Sequence, residues 1–148
     1  MKMSRLTQTG HVAGAAISPD GQNIAYVERD GELHSVWLQR AGTNNPLQLL
    51  PPVKLLYRDP AFSRDGNTLY YSKCQPGCRL HRIPLLGGVE TALPVRADGP
   101  ITFSPDGRRM AFVRVTVVGT DADVSLLVAD ADDTGEETLN SRGGGSSY

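Results

Sequence analysis

The stretch SKCQPGCRLH holds both cysteines of the chain, Cys74 and Cys78, with His81 close behind. Two chemistries suit such a set. The thiols flank Gln75-Pro76-Gly77, which reads as a hairpin tip, and cross-strand neighbours can lie close enough for a disulfide. Closing so small a loop would contribute about 2 kcal/mol on the chain-entropy estimate. An extracytoplasmic setting would form that bridge, whereas a reducing cytosol would leave two inert thiols. Zinc binding by Cys74, Cys78 and His81 is the sharper alternative. It lacks a fourth ligand, and the odd offset from Cys78 to His81 points the two to opposite faces of a strand. His81 aligns instead with Trp37 and Leu127, which suggests a packing position.

The acidic residues invite similar tests. ADADDTGEET, Ala129 to Thr138, resembles a calcium loop at first glance. Counting from Asp130, Asp132 suits the third ligand and Gly135 the sixth position, but Thr134 is fifth and Ser141 twelfth. The bidentate acid is absent, so the stretch reads as a solvated hairpin turn. Asp20, Asp65 and Asp106 recur at a period of forty-odd residues, and a catalytic constellation has no need of triplication. With Gly21, Gly66 and Gly107 they are read as turn makers. His11 and His34 have no nucleophile context, and no Ser sits in an elbow or SxxK setting. Tyr57 and Arg58 could line a channel or rim, or pack as an approach segment. The expectation is therefore no catalytic group, no metal and no cofactor.

What positions these residues is a repeat. ISPDGQNIAYV (Ile17–Val27), FSRDGNTLYYS (Phe62–Ser72) and FSPDGRRMAFV (Phe103–Val113) are three copies of one phrase. In SPDG, Pro presets φ, Asp hydrogen-bonds locally and Gly accepts positive φ, so a tight turn joins two antiparallel strands. Arg64 replaces Pro in the second copy. Short strands precede the turns and stronger ones follow. A third strand comes next (HSVWLQR, RLHRIPL, VSLLVAD), and then a weaker fourth (PLQLL, VETALPV, EETLN). Four short strands per repeat make one blade of a β-propeller. The second and third strands are apolar on both faces, as stacked blades require. The predicted fold is all-β, with three four-stranded antiparallel blades at about 9–51, 52–95 and 96–140, and a flexible Gly/Ser tail over 141–148.

The bulk numbers agree with a modest globular unit: 148 residues, 39% of them hydrophobic. Lys and Arg number 15 against 16 Asp and Glu, for a formal charge of −1. No basic cluster offers the footprint that nucleic acid needs. No apolar run approaches a membrane span, and MKMSRLTQTG lacks the apolar region of a secretory signal. Export would have to be directed by sequence outside this chain.

The repeats resemble the Ser-Pro-Asp-Gly repeats of TolB-like propellers, a branch of the WD-like superfamily, over about residues 4 to 140. The run from SRLTQTG through ISPDGQNIAYV, the stretch PVRADGPITFSPDGRRMAFVR and the ending LLVADADDTGEETL resemble one setting in particular. That setting is the propeller following the membrane segment in bacterial, often acidobacterial, serine/threonine protein kinases. The resemblance implies an extracytoplasmic sensor. Similar propellers accompany prolyl-oligopeptidase-type peptidases, which implies a substrate gate as the alternative. The catalytic motifs of either enzyme are absent from this stretch. The WD repeat proper fits less well: Leu38 follows Trp37, and Leu56 and Ala97 stand where the first repeat has His11.

Three blades are too few to close a ring. Either the chain is a piece of a longer propeller, or two copies close a six-bladed ring as a homodimer. The N-terminal run Arg5 to Gln8 resembles the outer strand of a preceding blade. The function expected is a non-enzymatic module that binds a protein or small ligand through loops at a channel mouth, or a fragment that self-assembles.

Overall fold

The computed structural model describes residues 2–7, 10–131 and 137–142, and these residues form strands and turns only. The first sheet comprises β1 (Val12–Ile17), β2 (Asn23–Asp30), β3 (Leu33–Arg40) and β4 (Leu47–Val53). The second comprises β5 (Leu56–Phe62), β6 (Thr68–Cys74), β7 (Cys78–Pro84) and β8 (Thr91–Ala92). The third comprises β9 (Thr102–Phe103), β10 (Arg109–Val118), β11 (Asp121–Asp130) and β12 (Glu137–Arg142). Every pairing is antiparallel and joins neighbours in sequence, which is the expected blade pattern. Asp132, Thr134 and Gly135 of the calcium-like run, Gln8, and residues 143–148 of the tail lie outside the described residues.

Each repeat begins with the same closed turn. In the first, Ser18 Oγ donates to Asp20 Oδ1 (2.5 Å), which also accepts from the Gln22 backbone N–H (2.9 Å). The Asn23 N–H donates back to Ser18 Oγ (2.9 Å), and the Gly21 N–H closes onto the Ser18 carbonyl (2.8 Å). Ser63, Asp65 and Asn67 repeat the set in the second blade, and Ser104, Asp106 and Arg108 in the third. The glycine after each Asp has φ of +72 to +75°, a region open to glycine at little cost.

The blades bury their faces on one another. Ala25, Val27 and Val36 of the first sheet meet Tyr57, Phe62, Leu69, Tyr71 and Ile83 of the second. On the other face of the second sheet, Tyr70 and Leu80 meet Met110, Phe112, Leu127 and Ala129 of the third. Period-two geometry explains the division, since Tyr70 and Tyr71 are consecutive and point to opposite faces. Burying side chains such as Tyr71, Leu69 and Leu80 contributes about 1.5–3 kcal/mol each.

One local expectation needs correction. The tail was expected to begin at Ser141, yet Ser141 and Arg142 belong to β12 and pair with Ser125 and Val124. The long β10–β11 hairpin leaves edge backbone groups that β12 extends to satisfy. Residues 2–7 form no strand. No blade precedes them among the described residues, and Leu6 and Thr7 wall a cleft over the outer face of the first sheet, with Tyr26, Trp37 and Gln39.

Candidate functional site

The three repeated carboxylates serve their turns. The Ser hydroxyl first, and then the following backbone N–H, hold Asp20, Asp65 and Asp106 below the usual carboxylate range. Each is positioned to bond its own loop.

Cys74 and Cys78 are a cross-strand pair at the β6–β7 tip, joined as a disulfide with Cα atoms 4.0 Å apart. The Gln75–Pro76 peptide within the tip is cis. His81 pairs across the sheet with Tyr71 rather than with a cysteine, and its ring stacks on the Tyr71 ring at 6.0 Å. Among the described residues no group of three His, Cys, Asp or Glu is placed to hold a metal.

His81 belongs to a polar cluster facing the first blade. Glu90 Oε1 lies 2.8 Å from Lys73 Nζ and 3.6 Å from His81 Nε2. Tyr57 stands edge-on to Tyr71 at 5.6 Å, and Lys73 lies over the Tyr57 ring. Burial, reinforced by the Glu90 charge, pushes the Tyr57 phenol up to about 12 and raises Tyr71 further. Both rings are neutral packing groups at ordinary pH.

The first strands of the blades break their ladders at matching places. β1 has a bulge between Val12 and Gly14, and β5 has one between Arg58 and Ala61. In the third blade the paired strand is only Thr102–Phe103, and the approach through Asp98 is tied separately to β10. There the Asp98 N–H donates to the Val113 carbonyl, Asp98 Oδ2 accepts from the Val115 N–H at 2.8 Å, and Arg96 donates to the Val115 carbonyl. Bulges re-aim side chains and recur beside functional sites.

Between these irregular strands lies a cleft of about 500 Å³, lined by Ala13, Gly14, His34, Arg58, Asp59 and Pro100 among others. Gly14 of β1 faces Pro60 of β5, and a β-carbon built there would make ordinary contact with it at 3.6 Å. Asp59 has φ of 53°, the only non-glycine with positive φ among the described residues. Asp tolerates that conformation better than most residues, although the following Pro60 adds restriction. Its carboxylate lies 3.9 Å from Arg58 Nε. Strained backbone of this kind gathers at ligand clamps.

His34 forms the rear of the cleft. It is 5% exposed, and burial, aided by Arg29, lowers its pKa, so the imidazole is neutral near pH 7. The nearby Tyr57 backbone acts against that lowering, and Nδ1 is buried without a hydrogen-bond partner. His34 has no nucleophile context in the sequence, although the alternation His34-Val36-Leu38 places it on the face that meets the second blade. Tyr57 meets both readings offered, 3% exposed in the interblade core and part of the cleft wall, where Arg58 joins it.

No family model matches the chain, and no curated protein does. Solved structures do. A putative TolB from Agrobacterium tumefaciens superposes with a TM-score of 0.70 at 23% identity, over 86% of this chain and 49% of that one. An oligogalacturonate lyase from Vibrio parahaemolyticus gives 0.70 at 15%, over 93% and 43%. The β-propeller domain of the Trilobed protease from Pyrococcus furiosus, described as having an open velcro topology, gives 0.63 at 12%, over 90% and 42%. At these identities the likeness establishes the fold: the three sheets are blades of a β-propeller similar to that of TolB and related propeller domains. The chain spans about half or less of each of these structures. No helix among the described residues is long and apolar enough to cross a membrane.

Proposed function

We propose that the chain is a non-catalytic binding module of a TolB-like propeller, and that the cleft between the first strands of its blades receives the ligand. The observation that carries this reading is the meeting in one cleft of Arg58, the strained Asp59 and the buried, unpartnered His34 Nδ1. A buried polar atom without a partner is costly unless something bonds it. The cysteines are spent on a bridge and the repeated carboxylates on turns, which leaves recognition rather than bond-making chemistry. In the setting that the sequence resembles, the module is an extracytoplasmic sensor linked to a kinase. The peptidase-propeller neighbour favours a second reading, a propeller that gates substrate to a hydrolase.

The test is amide and side-chain NMR on the full chain, titrated with a panel of short peptides and small carboxylic acids. Shifts should gather at Ala13–Ala15, His34 and Arg58–Pro60, and Arg58→Ala should remove them. Shifts confined to other loops, or a panel that binds nowhere, would count against the cleft. Response to peptides alone would favour the gate.

A further inference from the structure

We propose that a second cleft, beside the disulfide tip of the second blade, binds a small carboxylate independently of the first-strand cleft. The second blade has a neighbour packed on each face, and every wall residue of this cleft lies between Leu55 and Arg96, well inside the chain. Its volume is about 490 Å³, within the range of small-molecule sites. Lys73, Arg79, His81 and Arg96 wall it, and no Asp or Glu does, although acids outnumber Lys and Arg in the chain by 16 to 15. The adjoining cleft is mixed by comparison, with Glu32 set among Arg29 and Lys54.

Strand geometry gathers the basic groups. Lys73 and Arg79 are cross-strand partners on β6 and β7, and His81, two residues beyond Arg79, shares their face. Arg96 reaches in from the segment beyond β8. Most of these groups are already held in place. Lys73 Nζ lies 2.8 Å from Glu90 Oε1 and over the Tyr57 ring. Arg96 donates to the Val115 carbonyl and lies 3.3 Å from Asp98 Oδ2. His81 Nδ1 is 3.0 Å from the Arg79 carbonyl, which can only accept, so the ring donates there and ties down the Arg79 backbone. The Cys74–Cys78 bridge closes the tip whose Gln75 and Gly77 complete the wall.

The charge count then selects the ligand. Glu90 answers Lys73 and Asp98 answers Arg96, whereas no carboxylate among the described residues pairs with Arg79. One positive charge is left over, on a planar guanidinium whose N–H donors match the two oxygens of a carboxylate. Leu55, packed on the core between the first two blades, supplies an apolar wall. A ligand with one carboxylate and a short apolar body suits both.

The experiment is amide and arginine side-chain NMR on the full chain at low ionic strength, where a surface charge is least screened. The probes are hexanoate, hexanamide and inorganic phosphate. Hexanoate should shift the amides between Gln75 and His81 and the Nε–H groups of Arg79 and Arg96. Hexanamide, which has the same shape without the charge, should bind about tenfold more weakly. Arg79→Gln should abolish the hexanoate shifts and keep the β fold, while Arg82→Gln, on the other face of the same strand, should leave them. Equal response to hexanamide would make the cleft an apolar pocket and overturn the proposal. Hexanoate shifts that survive Arg79→Gln, or no shift at these residues, would do the same. Shifts confined to His34 and Arg58–Pro60 would place the carboxylate in the first-strand cleft instead. Tighter binding of phosphate at the same residues would overturn the choice of a carboxylate.

Discussion

A β-carbon built on Gly107 would stand 3.2 Å from Cβ of Arg64, so the third Asp-Gly turn rests against the second. Gly66 meets Pro19 and Ser18 of the first turn only at ordinary contact, 3.9 and 4.0 Å. Gly107 therefore has two duties: it accepts a positive φ, and it leaves room for the blade before. Gly21 has only the first duty, since nothing lies within 4 Å of its added β-carbon. Gly21→Ala should destabilise by about 1 kcal/mol, the cost of left-handed backbone for a residue with a side chain. Gly107→Ala should cost more, because Arg64 must also shift, and Gly107→Val more again. Urea denaturation of the set decides the matter. Equal losses at Gly21 and Gly107 would remove the contact between turns, and no loss at either would remove the turn assignment.

The same turns set an acid response. Asp20, Asp65 and Asp106 have folded pKa values below their unfolded ones, with the Ser hydroxyl as first cause. Groups depressed in this way contribute stability above the unfolded value of about 4, and lose it as pH falls through the folded value. The melting temperature should drop as pH is lowered from about 4. A variant with Ser18, Ser63 and Ser104 changed to Ala should melt lower at pH 7 and show a flatter fall in acid. A slope identical to wild type would mean that the hydroxyls do not hold the carboxylates.

In the cluster facing the first blade, the Tyr71 hydroxyl is buried with no partner at hydrogen-bond geometry; burial first, and then Glu90 by its charge and as a more distant acceptor, raises its pKa. Tyr71→Phe removes an unpaired polar atom and keeps the ring between Tyr57 and His81. Its melting temperature should equal or exceed that of wild type. Glu90→Gln acts oppositely, because it strips the charge partner from a Lys73 side chain that is 28% exposed. That change should cost about 1 kcal/mol. If Tyr71→Phe proved the more damaging of the two, the hydroxyl would have to be bonded.

The blade period was legible because turn chemistry and strand apolarity recur together: Ser-x-Asp-Gly forces the same reversal three times, and IAYV and MAFV need cover on both sides. Sequence was a poorer guide where pairing is irregular. VETALPV reads as a full strand, yet the ladder takes only Thr91 and Ala92. Beyond them Leu93, Val95 and Ala97 alternate inward to fill the space between the second and third blades. The bulges at Gly14 and Asp59 leave no mark in composition, since each depends on how close the neighbouring strand comes. The candidate cleft was hidden for that reason. His34, Arg58 and Asp59 are far apart in sequence or unremarkable within it, and only the packing of the first two blades brings them together.

The bridge at the β6–β7 tip makes the last prediction, and it bears on where the chain works. Cys74 and Cys78 pair directly across the hairpin and close a loop of three intervening residues. Closing so short a loop contributes about 2 kcal/mol by restricting the unfolded chain. Mass spectrometry without reductant should find both sulfurs closed to alkylation under native and denaturing conditions alike. Dithiothreitol should open them and lower the melting temperature. A matching loss in Cys74→Ser/Cys78→Ser, unaffected by reductant, would place the effect in the bridge. Ready labelling of denatured, unreduced protein would rule the bridge out, and with it the physical argument for an oxidising compartment.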